Sequence, residues 1–144
     1  MDLIKQSKFG YKLDAASKID VEYIAQKGIL ICTCNASFIT DKDFRDIFSE
    51  IGEMVKHHSV KKLIFDKRSL KVFDQPSMEW YHIVWKKEMK QYGLKSYRKI
   101  LPKDSMFVKS VEIGRAKILA KYPEFSFEEY DIQYFSSVEE AIEQ

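Results

Sequence analysis

Strand-length apolar segments alternate with helix-length apolar stripes from residue 18 to residue 144, and that alternation leaves few folds open. Ile19, Val21, Tyr23 and Ala25 alternate with Lys18, Asp20 and Glu22, the pattern of a half-buried strand. Gln26-Lys27-Gly28 supplies a turn, with Gly28 free to take positive φ. Ile29 to Asn35 then runs apolar on both faces, as a central strand does, so the two segments read as a hairpin. Thr40 caps a helix with Asp41 and Asp43 at its positive end and a stripe of Phe44, Ile47, Phe48, Ile51, Met54 and Val55. Lys61 to Asp66 is the next strand, followed by a loop from Lys67 to Phe73.

A second helix starts at Asp74-Gln75-Pro76, runs to about Tyr92 and stops at Gly93. Tyr97 to Leu101 is a strand ended by Pro102. Asp104 or Ser105 opens a third helix, whose predicted inward stripe is Val108, Val111, Ile118, Leu119 and Tyr122, with Gly114 permitting close packing on the sheet. Tyr130, Ile132 and Tyr134 mark the last strand, and Ser137-Val138-Glu139-Glu140 is a capping box for a terminal helix. Lys8 to Leu13 carries a weak strand pattern of its own. The order β-β-α-β-α-β-α-β-α predicts an α/β domain with a mixed, largely parallel sheet, an N-terminal β-hairpin and helices packed on the sheet.

Length and composition narrow the function classes. The 144 residues suit one domain with a packed core, since 45% are hydrophobic and 32% charged. A net charge of +2 excludes a strong whole-protein field for nucleic acid, so no nucleic acid partner is expected. No apolar run approaches the roughly 20 residues that span a bilayer, and Met1 to Lys8 lacks a signal-peptide core. The expected location is cytoplasmic, without membrane insertion. Cys32 and Cys34 share one face of a strand and read as small core fillers.

The segment Leu63-Ile64-Phe65-Asp66-Lys67-Arg68-Ser69-Leu70-Lys71-Val72-Phe73-Asp74-Gln75-Pro76-Ser77 resembles the STAS domain of anti-sigma-factor antagonists, in which an apolar strand ends in Asp and a loop leads to apolar-x-Asp-Ser-Ser-Gly at a helix start. Tyr134 to Ile142 is similar to the closing strand and helix of the broader SpoIIAA-like (STAS/Sec14-type) group. The resemblance covers roughly residues 18–144 and implies one bacterial STAS-like domain over 1–144, with 1–17 as an extra strand or arm. Asp66 and Asp74 match the motif. The serine that takes phosphate in switch members is replaced by Pro76, its neighbour is Gln75, and the glycine is absent. A working Ser phosphoswitch is therefore not expected, although Ser77 lies one residue later. Asp66, Ser69, Asp74 and Ser77 form the candidate regulatory loop.

No phosphate loop, dinucleotide fingerprint, nucleophile elbow or zinc-protease motif occurs, so no enzyme, cofactor or metal is expected. His57 and His58 diverge on a helix end, and His82 reads as structural or exposed. Lys86 to Lys103 holds seven basic residues against Glu88, while Glu124 to Gln144 holds seven acidic and no basic ones. They read as two solvated flanks that partly neutralise one another, rather than as an anion patch.

On the second helix, Met78, Tyr81, Trp85, Met89 and Tyr92 make a core stripe, while Trp80, Ile83 and Val84 fall on roughly the other side. That second apolar side is either a partner surface or pocket wall, or part of a wide core face with Trp80 covered by the N-terminal segment or a loop. The expected function is a non-catalytic regulatory module that binds another protein or itself, as in a homodimer, through Trp80, Ile83 and Val84. The alternative is a domain that binds a small apolar, lipid-like ligand.

Overall fold

The structure, a computed structural model, describes residues 4–6, 11–13 and 18–144. Its sheet has seven strands in chain order: β1 (Ile4–Gln6), β2 (Tyr11–Leu13), β3 (Ile19–Ile24), β4 (Ile29–Cys34), β5 (Lys62–Asp66), β6 (Ser96–Ile100) and β7 (Asp131–Tyr134). Strands β1 to β4 pair antiparallel, and β4 to β7 pair parallel. The hairpin, the mixed sheet and the alternation are as the sequence predicts. Of the weak pattern at Lys8 to Leu13, β2 accounts for Tyr11–Leu13 and residues 8–10 lie outside the described residues.

The crossovers are α1 (Asp41–His57), a continuous helix over 75–90, and α4 (Ser105–Lys121); α5 (Val138–Glu143) closes the chain. The helix over 75–90 is built of α2 (Gln75–Trp80), a π-helical turn (Tyr81–Trp85) and α3 (Lys86–Lys90). Each crossover steps to the next strand in the same direction, so crossovers of one hand place their helices on one face of the sheet. The burial agrees. Leu30, Cys32, Cys34, Leu63, Phe65 and Tyr97 pack with Phe48, Trp85 and Phe107 from these helices. The alternate residues Ile29, Ile31, Ile64 and Ile100 pack with Val138 and Ala141 of α5.

Gly28 has φ +65°, and its carbonyl accepts from Lys61 and Lys62, tying the hairpin turn to β5. A Cβ at Gly28 would stand 2.7 Å from the Ser59 carbonyl oxygen, so only glycine fits there.

Three expectations are corrected. The inward stripe of α4 is Phe107, Val111, Gly114 and Ile118; Leu119 is exposed, because the helix is apolar on more than one side and the sheet selects which side is covered. Gly114 packs on Phe73, Gln75 and Met78 rather than on the sheet. Tyr92 is exposed past the end of α3, and the core stripe of helix 75–90 is Tyr81, His82, Trp85, Lys86 and Met89.

The basic stretch is corrected as well. Lys86, Arg98 and Lys99 are buried rather than solvated. Sheet register explains Lys99: it stands beside Phe65 on β5, which stands beside Cys32 on β4, so the row it joins faces the helices. Arg98 falls in the Ile31–Ile64 row and faces α5.

Candidate functional site

Parallel strands β4 to β7 end at one edge, and the loop over 67–74 leaves β5 there. Open α/β sheets bind ligands at such carboxyl ends. Asp66 closes β5 and is buried. Its carboxylate accepts from Arg68 Nε at 3.0 and 3.2 Å, from Arg68 Nη2 at 2.7 Å and from the Arg68 backbone N–H at 3.1 Å. That fork is a charge-assisted, geometrically specific pair, which fixes the start of the loop.

The loop is held along its length. Lys67 N–H donates to the Ile100 carbonyl at 2.8 Å and Lys71 N–H to Ser37 at 2.9 Å, and Leu70 is buried in the core. Asp74 caps α2: its Oδ2 accepts from Ser77 N–H at 3.0 Å and from Ser77 Oγ at 2.9 Å. Ser77 Oγ also lies 3.1 Å from Asp41 Oδ1 of α1. One hydroxyl proton serves only one of these carboxylates at a time, and Ser77 is 4% exposed. Ser69 is exposed in the loop. The four candidate loop residues therefore separate: Asp66, Asp74 and Ser77 are buried or half-buried anchors, and Ser69 faces solvent.

The helix residues separate too. Trp80 is half-buried, meeting Phe44 edge-on at 6.3 Å with the Arg45 guanidinium 5.5 Å above its ring. Ile83 is half-buried and lines a surface groove with Lys87, Tyr122 and Phe125. Val84 is exposed. The N-terminal segment weighed as a cover for Trp80 falls largely outside the described residues.

Sequence reasoning missed an apolar groove between the loop and α4, about 470 Å³ in volume, whose wall includes Val72, Met106 and Ile113. Exposures of 55%, 78% and 50% make these three the most solvent-open large apolar side chains among the described residues. Met106 and Ile113 are seven residues apart on α4 and share one face. That spacing was the available signal, but α4 carries apolar residues on several faces.

The same helix 75–90 buries unusual charge. Lys86 Nζ has no hydrogen-bond partner among the described residues and lies 4.1, 5.0 and 5.6 Å from the ring centres of Tyr97, Tyr81 and Tyr130. Burial pulls Lys86 and Lys99 well below the usual lysine value, reinforced for both by Lys67 and Arg115. Burial also holds His82 well below the usual histidine value, with the charges of Lys86, Lys99, Lys67 and Arg115 adding to it. His82 is thus a buried neutral imidazole, and its Nδ1 has no partner. The π-helical turn places Tyr81, His82 and Trp85 inward together, and such turns are often found at functional sites. Among the described residues, no group of His, Cys, Asp and Glu is placed to hold a metal ion. No helix among them is long and apolar enough to cross a membrane.

No protein-family model matches the chain, and no curated protein sequence matches it. Among solved structures, the anti-sigma factor antagonist SpoIIAA in its unphosphorylated form is similar in fold. The TM-score is 0.62 over 87% of this chain and 93% of that one, at 11% sequence identity. At that identity the likeness concerns the fold, which is STAS-like.

Proposed function

We propose that this chain is a STAS-type regulatory module that acts by docking to another protein chain, without catalysing a reaction and without a phosphoswitch at Ser77. The observation that carries the reading is the groove between loop 67–74 and α4, where Val72, Met106 and Ile113 stay exposed beside a loop anchored at both ends. An apolar cluster of this kind on a folded domain marks an interaction site more often than a solvated surface. The fold likeness to an anti-sigma factor antagonist supports the same class of function.

The environment of Ser77 argues against phosphate there. A phosphate adds about −1.5 to −2 charge. At Ser77 it would stand between Asp74 and Asp41 in a buried position, where like charges repel. Ser69 is the hydroxyl of the loop open to a modifying enzyme. Half-buried Ile83 and exposed Val84 offer a second contact on helix 75–90, Ile83 in a separate groove, whereas Trp80 is engaged with α1.

Met106→Glu and Val72→Glu test the reading. Each places a charge at the proposed contact, and each is expected to weaken partner capture or self-association by roughly tenfold or more, as central interface residues do. Far-UV circular dichroism should stay unchanged. Association at wild-type strength in both variants would overturn the docking face, and Ile83→Glu then asks whether the helix alone is used.

A further inference from the structure

Beneath loop 67–74 lies a cavity of about 50 Å³ that the docking reading does not use. Its walls are mostly apolar, Phe65 and Phe107 among them, and its polar lining is Lys67, Asp74, Ser77, Tyr81 and His82. Two of these five have unused nitrogens, and the Tyr81 hydroxyl has no partner among the described residues. Lys67 Nζ makes no hydrogen bond or ion pair with the described residues, and its closest described anchor is the Phe65 ring at 4.8 Å. His82 is 1% exposed with Nδ1 unpartnered. The nearby carboxylates do not serve them: Asp66 is taken by Arg68, and Asp74 accepts from Ser77. What the two nitrogens lack is an acceptor of their own.

We propose that the cavity is a binding site for a small monocarboxylate of acetate or propionate size, held by Lys67 and His82. Size sets the first limit. An empty cavity of about 150 Å³ admits benzene. One a third of that volume takes a few heavy atoms and not an acyl chain, so the lipid-like ligand does not fit. Charge sets the second limit. The lining holds a single lysine, which neutralises one negative charge and so suits a monoanion, whereas a phosphate dianion would leave a second charge uncompensated near Asp74. Chemistry sets the third. A short carboxylate matches both kinds of lining: its oxygens accept from the ammonium and from Nδ1–H of a neutral imidazole, and its alkyl end meets the phenyl rings.

The proposal does not rest on the docking reading, and its test reads binding alone. The full chain, isotope-labelled, is titrated with sodium propionate, with propanamide as the neutral isostere and with sodium chloride at matched ionic strength. Saturable shifts at the His82 ring nitrogens and the loop amides are expected with propionate and not with propanamide. Lys67→Met should weaken the effect roughly tenfold or more, the usual loss for a hydrogen bond to a charged group. If that variant does not fold, the wild-type pH profile decides. Burial pulls the Lys67 ammonium down to about 8, Cys34 opposes this and Arg115 adds to it. The other charged or polar groups around it are His82, Lys86, Lys99 and Asp74. Affinity should therefore fall as pH rises through about 8. Shifts that never saturate, equal shifts with propanamide or chloride, or affinity flat across that pH range would each overturn the site.

Discussion

The two faces of one sheet treat buried positive charge in opposite ways. On the face covered by α5, Lys62 Nζ donates to the carbonyls of Ala141 and Ile142 at 3.0 and 3.2 Å. Arg98 donates to the Gln144 carbonyl, to the Asp131 carbonyl and to the Asp131 carboxylate, leaving only its Nε without a partner. The carbonyls of a helix C-terminus are the negative end of its dipole, so these cations complete α5 and hold it down. On the face covered by helix 75–90, Lys86 meets three tyrosine rings and no acceptor, and the hydroxyls of Tyr81 and Tyr97 are unpartnered as well. The first face uses charge to close a structure. The second carries charge whose desolvation nothing local offsets beyond ring contacts, and the cavity lies on that side.

The sharpest test of the first face is Arg98→Met. It removes the guanidinium that reaches Asp131 and Gln144 from β6, leaving only the longer Ser96 hydroxyl contact to Asp131 at 3.4 Å, and should cost about 3 kcal/mol in chemical denaturation, the upper range for charged hydrogen bonds. Wild-type stability in that variant would show that α5 is held by Lys62 and the apolar contacts of Val138 and Ala141 without Arg98.

Lys86→Met tests the second face, with the opposite sign: a gain of about 1–2 kcal/mol at neutral pH, because a partnerless buried cation gives way to an apolar side chain of similar volume. The pH dependence follows from the direction of the shift. The folded protein holds Lys86 well below the ordinary lysine value, so the unfolded chain binds that proton more tightly, and wild-type stability recovers as pH rises toward about 10.4. The advantage of the variant should shrink over the same range, and a constant advantage would mean that Lys86 stays charged when folded. The smallest effect is expected at half-buried Lys62, where Lys62→Met should cost about 1 kcal/mol, an ordinary hydrogen-bond contribution. A cost as large as that of Arg98→Met would make the α5 face depend on both cations equally.

The same contrast shows where the sequence is legible. The hairpin turn at Gly28, the caps at Thr40 and Ser137, the helix start at Asp74-Gln75-Pro76, where Asp74 rather than Gln75 is the cap, and the stop at Gly93 are local chemistry and are found where the sequence puts them. Asp74 was legible as a cap, but that its carboxylate and that of Asp41 converge on Ser77 was not, because Asp41 is 36 residues away. Lys86, Arg98 and Lys99 read as solvated because lysine and arginine rarely sit inside without an anion. A strand buried on both faces has no outward position, so every residue of β6 after Ser96 is interior whatever its charge. Leu119 and Tyr92 failed in the reverse sense: apolar residues complete a helical stripe on paper even where the helix has turned away or ended.

What the sequence determined by itself is the order of elements, their turns and caps, and thereby a mixed sheet with crossover helices, since these depend on neighbours within a few residues. Only the tertiary structure decided which apolar face of α4 meets the core and which is left, as Met106 and Ile113, beside Val72 of the loop. It also decided that two nitrogens from different elements, Lys67 and His82, would line one small cavity with no acceptor bonded to either among the described residues. Burial is a property of register and packing across the whole sheet, and no local pattern encodes it.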